Sequence, residues 1–201
     1  MATTVWLLSD LMAQWVVMFY PGVIVFWLIV HTRIERLRPF ESRVLWVVLF
    51  AWTITAGPIL YYRAQIFLVR WMAPPPLELF LKVFGAIALF LGATLYFMAK
   101  QQISARTMMG FPEFNPEKNK QPLLKLGIYS RTRNPLYLGY WLVLLAAAML
   151  TNFAANWIMF AVNCLLLPLM MRAEEGELLG RYGSDYAAYM RRVPRFFPQL
   201  R

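Results

Sequence analysis

Five long apolar runs separated by short polar segments constrain this chain more than any other feature of its sequence. They cover 11–30, 44–62, 77–99, 135–150 and 153–171. A helix needs about 20 residues to cross the roughly 30 Å hydrocarbon layer of a bilayer. The first three runs, of 20, 19 and 23 residues, meet that length. The last two, of 16 and 19 residues, predict a tight helical hairpin turning at Thr151 and Asn152. Composition agrees, with 60% of the 201 residues hydrophobic and 15% charged, where a soluble globule carries about 25% charged. The expectation is an all-α polytopic membrane protein forming a single domain over 1–201. It would have five transmembrane helices, a C-terminal helical hairpin and an interfacial C-terminal helix.

Basic residues orient these spans. Four Lys or Arg fall in 31–43, seven in 100–134 and six from 172 onward, against two in 63–76 and none in 1–10 or 151–156. Cytoplasmic loops carry the excess of Lys and Arg, so the N-terminus is expected outside and the C-terminus in the cytoplasm. The first 31 residues have no basic leader region or small-residue cleavage site, which predicts a retained helix. A net charge of +10 then reads as basic loops beside anionic lipid, not as a nucleic-acid surface.

Several chemistries are excluded. The only cysteine, Cys164, allows no internal disulfide, and with one histidine, His31, there is no metal-ligand spacing. No G-x-G pair occurs, so the dinucleotide fingerprint and the phosphate-binding loop are both missing. No span carries an ionisable residue near its centre, which argues against ion or proton transport. Cys164 reads as packing, His31 as an interfacial residue, and Asn156 and Asn163 as interhelical hydrogen-bonders.

Three cytoplasmic segments could carry chemistry. The first runs from Gly127 to Gly139 with Tyr129, Arg131, Arg133, Asn134, Pro135 and Tyr137. Asn134 and Pro135 suit the cap and first turn of a helix, and a helix start between arginines can hold an anion. The second is Arg172-Ala-Glu-Glu-Gly-Glu177, where acids stand at a place that membrane topology reserves for bases. Either it is a solvated acidic turn, with Glu177 and Arg181 spaced for a pair, or its carboxylates meet a cation or hydroxyl donors. The third runs from Tyr182 to Pro198, where Ser184 could cap a short helix with Tyr186, Tyr189 and Met190 on one face. It reads as an interfacial helix that could also fold back as a lid.

Taken in order from Gly127 to Pro194, these segments resemble the membrane-integral methyltransferases. That superfamily includes isoprenylcysteine carboxyl methyltransferase and the phospholipid N-methyltransferases. The shared pattern is G-x-Y-x-x-x-R-[HN]-P-x-Y-x-G, an apolar hairpin, E-E-x-x-L-x-x-x-[FY]-G-x-x-Y-x-x-Y and a basic V-P. The resemblance covers about the last 85 residues, from Gln121 on.

It implies S-adenosylmethionine as methyl donor, held by the cytoplasmic segments 100–134 and 172–201. It places cofactor contacts at Gln121, Pro122, Leu123, Leu124, Tyr129, Asn134, Pro135, Leu136, Tyr137 and Glu175. Catalytic roles would fall to Glu174, as a base for any protic acceptor, and to Arg172. The expected location is a bacterial inner membrane more than endoplasmic reticulum. Two departures stand out. Asn134 stands where animal and yeast enzymes typically have histidine, as bacterial relatives often do, which implies a different cofactor contact there. Met171 stands where prenylcysteine enzymes carry an arginine, with Arg172 one place on. No histidine lies near the motifs, which favours an acceptor that arrives ionised or loses its proton to water. The implied partner is a lipophilic substrate entering from the bilayer, with anionic lipids nearby; the oligomeric state is open. Two rivals remain: an NADPH-dependent membrane sterol-type reductase with a similar hairpin, and a non-catalytic membrane scaffold.

Overall fold

The computed structural model describes residues 23–24, 26–33, 36–37, 47, 69–104, 107, 111–115, 117–118 and 121–198. Residues 26–33 are helical. Helix α1 follows (Pro75–Lys100), then a single turn at Phe111–Phe114 and a 3-10 turn at Gly127–Ser130. Helices α2 (Pro135–Thr151), α3 (Ala154–Tyr182) and α4 (Ser184–Arg192) complete the order. Among the described residues no strand forms beyond one isolated bridge between Arg70 and Phe153.

Helix α1 starts within Pro74-Pro75-Pro76, where a missing amide hydrogen costs nothing in a first turn. Its amphipathicity is inverted relative to a soluble helix. Gly85, Ala88, Gly92 and Ala99 are buried, while Leu79, Phe80, Phe84 and Phe90 are exposed. Small residues inward and large apolar residues outward is the packing a helix adopts in lipid. The small stripe meets α2 at close range. A Cβ built on Gly139 would lie 3.0 Å from the carbonyl oxygen of Gly92 and 3.0 Å from the amide nitrogen of Tyr96.

Helices α2 and α3 form the expected hairpin. Asn152 takes the left-handed conformation (φ 52°) that ends α2 and that asparagine tolerates better than most residues. Asn156 of α3 donates to the Thr151 hydroxyl at 2.7 Å, closing the turn between the helices. On the same side the 69–71 segment lies along the turn, with Ala154 donating to Val69 and Trp71 to Asn152 at 2.8 and 3.0 Å.

Helix α3 overruns its apolar run by more than ten residues and carries Pro168 without breaking. At 1.5 Å per residue, 29 residues reach about 43 Å, well beyond a roughly 30 Å hydrocarbon layer. The acidic segment is thus the protruding end of a continuous helix, and not a separate turn. Helices α1 and α3 are long and apolar enough to span a membrane, and α2 is apolar but shorter. The run at 44–62 lies outside the described residues except at residue 47, and most of 11–30 does too. Five spans therefore remain an expectation.

Candidate functional site

Two polar assemblies sit where α2 begins and α3 ends. The first joins the Gly127–Gly139 motif to the C-terminal tail. Gly127 has φ +57°, the left-handed region that favours glycine, and the end of the Gln102 side chain lies against it. The 3-10 turn that follows buries Ile128 and Tyr129 against Ala99, with Leu124 and Leu136 packed around them. Tyr189 of α4 then donates to the Tyr129 carbonyl at 2.6 Å, and Tyr182 to the Gln121 carbonyl at 3.0 Å.

Past α4 the chain folds back. The Arg133 amide donates to Pro194 at 3.0 Å, the Asn134 side chain to the Arg195 carbonyl at 2.8 Å, and the Thr132 hydroxyl to Phe196 at 2.7 Å. Asn134 occupies the cap position of α2, but its side chain makes no capping bond and holds the tail instead. At the centre lies Glu175, 4% exposed. Arg195 Nε donates to its Oε2 at 3.0 Å, and Arg195 Nη2 lies 2.7 Å from the same oxygen. Arg133 Nη2 approaches Oε1 at 2.8 Å, off the hydrogen-bond axis, and Arg133 Nη1 donates to the Met190 carbonyl at 3.1 Å. Two guanidiniums therefore share one carboxylate, the pairing a buried acid requires.

The second assembly is a cavity between the residue 23–31 segment and the α2–α3 hairpin. Val23, Ile24, Leu167 and Met170 give it an apolar wall, and Trp27, Tyr137 and Tyr140 an aromatic one. Its polar lining is His31, Thr107, Glu113, Asn163 and Glu174, with no lysine or arginine among the described lining residues. Three lining side chains carry a buried polar atom with no hydrogen-bond partner: Glu113 Oε2, Asn163 Nδ2 and Glu174 Oε2. Buried polar atoms of a native protein are almost always paired, so three at one cavity mark a place built to receive polar groups.

Behind this lining runs a charge network. His31 Nδ1 is 2.8 Å from Glu177 Oε2, the other Glu177 oxygen accepts from Arg181, and Arg181 lies 4.0 Å from Glu113. Trp27 stacks on the His31 ring with centroids 5.4 Å apart. Burial pushes the Glu113 carboxyl up to about 7, with the charge of Glu177 adding to the effect. At His31 burial acts the other way, but the bond to Glu177 and the charges of Glu174, Glu177 and Glu113 outweigh it and raise the imidazole above its usual value.

The residues singled out from sequence divide between these assemblies. Leu136, Tyr137 and Glu174 line the cavity, while Gln121, Leu124, Tyr129, Asn134 and Glu175 belong to the tail assembly. Pro135 is the buried first residue of α2, Leu123 is half-buried and Pro122 exposed. Arg172 is exposed and does not line the cavity. His31 is a correction, because it is a buried wall of the cavity, hydrogen-bonded to Glu177, and not an interfacial residue. Glu113, Thr107 and Trp27 were also missed; only the rarity of histidine in this chain could have drawn attention to any of them.

Comparison with known proteins follows from this geometry. The family model described as phospholipid methyltransferase matches residues 80–185, which spans α1 to the start of α4 and most of both assemblies. A methanethiol S-methyltransferase of Crocosphaera subtropica is 30% identical over 86 residues, 43% of this chain and 31% of that protein. Methanethiol S-methyltransferase 2 of Bradyrhizobium diazoefficiens is 33% identical over 89 residues, 44% of this chain and 32% of that protein. The matched part spans about a third of the length of these relatives.

Proposed function

Because the chain belongs to the phospholipid methyltransferase family, we propose that it transfers a methyl group from S-adenosylmethionine to a lipophilic acceptor at the cytoplasmic face of a membrane. The observation that carries this reading is the cavity with three unpartnered polar atoms in an aromatic, acid-lined wall. Its residues fit the donor. Carboxylates at Glu174 and Glu113 and the faces of Trp27, Tyr137 and Tyr140 suit a sulfonium cation, by charge and by ring quadrupole. The unpaired Asn163 amide and the Thr107 hydroxyl suit its polar groups.

When bound, S-adenosylmethionine supplies an electrophilic methyl carbon. The protein's part is positional, since methyl transfer needs donor and acceptor held collinear, and orientation is worth a large share of such a barrier. The apolar wall of Ile24, Leu167 and Met170 would seat the acceptor's hydrocarbon part and exclude water. Entry of the acceptor from the bilayer is supported by the exposed apolar face of α1, and a cytoplasmic C-terminus by the basic residues of 100–134 and 172–201. Similarity to relatives named methanethiol S-methyltransferases favours a sulfur acceptor over a phospholipid headgroup.

Calorimetric titration of the detergent-purified protein tests the site. S-adenosylmethionine and its demethylated product should both bind, and NADPH should not. Glu174→Gln should weaken the cationic donor roughly tenfold, about 1.4 kcal/mol, and leave the uncharged product nearly unchanged. Binding of NADPH alone would move the chain to the reductases. Binding of neither, by a folded sample, would leave only a scaffold.

A further inference from the structure

We propose that His31, oriented by Glu177, is the proton acceptor for the methyl acceptor, and that this acceptor is a neutral thiol. The inference rests on the methyltransferase reading and goes beyond it, in assigning a base and a nucleophile class. His31 comes from a segment with no part in the conserved pattern, 146 residues from its partner. Its ring lines the cavity, whereas Glu177 does not. With Nδ1 hydrogen-bonded to Glu177 Oε2 at 2.8 Å, the carboxylate holds the proton on Nδ1 and leaves the Nε2 lone pair for the cavity. An acid that fixes the tautomer of a histidine, which in turn serves a nucleophile, is the logic of activated hydrolase sites. Stacking on Trp27 fixes the ring plane. Glu177 is anchored in its turn by Arg181.

The charges around His31 select the acceptor. Glu174, Glu177 and Glu113 face it from α3 and the Phe111–Phe114 turn, Tyr137 faces the same cavity from α2, and Arg181 lies behind Glu177. An anionic acceptor, carboxylate or phosphate, meets acids and, among the described lining residues, no cation. An amine, with a proton affinity near pKa ~10, enters as an ammonium, and the acids around the cavity hold it in that form, with no lone pair to attack. A thiol, unlike an ammonium, is uncharged on entry and keeps its sulfur lone pairs, and imidazole can take its proton in the transition state as the new bond forms. The S–H proton passes to His31 Nε2 while the acceptor sulfur's electron pair forms the new carbon–sulfur bond. The methyl carbon leaves the donor sulfonium, whose sulfur keeps the bonding pair as a neutral thioether. The imidazolium then releases the proton to water.

The test compares His31→Asn with the unchanged protein. Asparagine keeps a donor for Glu177 but has no acceptor at the Nε2 position. Three readouts are needed: calorimetric binding of the demethylated donor, methylation of an alkanethiol, and methylation of an arenethiol already ionised at the assay pH. Binding should persist. Turnover of the alkanethiol should fall by roughly a hundredfold or more, that of the arenethiol by less than tenfold, and added imidazole should restore part of the loss. Glu177→Gln, which acts through the histidine, should shift the pH profile of alkanethiol turnover and not that of the arenethiol. Equal losses on both thiols, or none on either, would overturn the assignment of the base while the cofactor reading stands. An unchanged protein that fails to bind the demethylated donor would overturn both.

Discussion

Glu113 and Glu174 show how single residues reveal a site by being poorly served. Burial holds the Glu113 carboxyl near 7, above its unfolded value of about 4.3, so the folded state binds the proton more tightly. The stability this contributes is complete below the unfolded value and is lost as pH rises through about 7. Glu113→Gln should remove that loss. Melting temperatures in detergent should fall between pH 5 and pH 8 by more in the unchanged protein than in the variant; parallel curves would refute the shift. Glu174 and Tyr137 were legible in sequence because each belongs to a local pattern of fixed spacing. His31, Glu113 and Thr107 were not, because the histidine pair alone spans 146 positions. No local pattern announces such a pairing, and a lone polar residue beside an apolar run looks the same whether it faces headgroups or a cavity.

Helices were the most legible elements, since an apolar run and a flanking proline fix where each begins. The expected spans at 77–99 and 135–150 became Pro75–Lys100 and Pro135–Thr151, and the hairpin turned where Thr151 and Asn152 predicted. The end of α3 was misplaced for a physical reason. Hydropathy reports where the lipid stops, not where the helix does, and Ala173-Glu174-Glu175-Gly176-Glu177 can continue the helix in water. Gly139 entered as part of a motif, and the structure gives it a packing reason. Its neighbours at 3.0 Å are backbone atoms of α1, which cannot swing aside as a side chain would. Gly139→Ala should therefore force the two helices apart and cost about 1–3 kcal/mol. A lowered melting temperature with the cavity variants' binding pattern unaffected would check this; an unchanged melt would mean that the helices can separate freely.

At the scale of the molecule, the tail and the hairpin are locked by the same residues that carry the sequence pattern. Glu175 illustrates the consequence. The family resemblance places it among cofactor contacts, yet both of its oxygens face guanidiniums, from Arg133 at the start of α2 and Arg195 in the returning tail. Arg133 is nearly as buried as the acid, with 7% of its side chain exposed. Removing the acid strands a buried cation, a change that typically costs about 3–5 kcal/mol, whereas losing the more exposed Arg195 still leaves the acid the charge of Arg133. Glu175→Ala should thus lower the melting temperature markedly and make the chain beyond Met190 sensitive to protease. Arg195→Ala should free the tail with a smaller loss of stability. Binding of the demethylated donor is the deciding measurement. If Glu175→Ala melts like the unchanged protein but no longer binds it, the carboxylate contacts the cofactor directly and the clamp is incidental. If affinity is lost only in proportion to the folded fraction, Glu175 serves the site by keeping the fold intact.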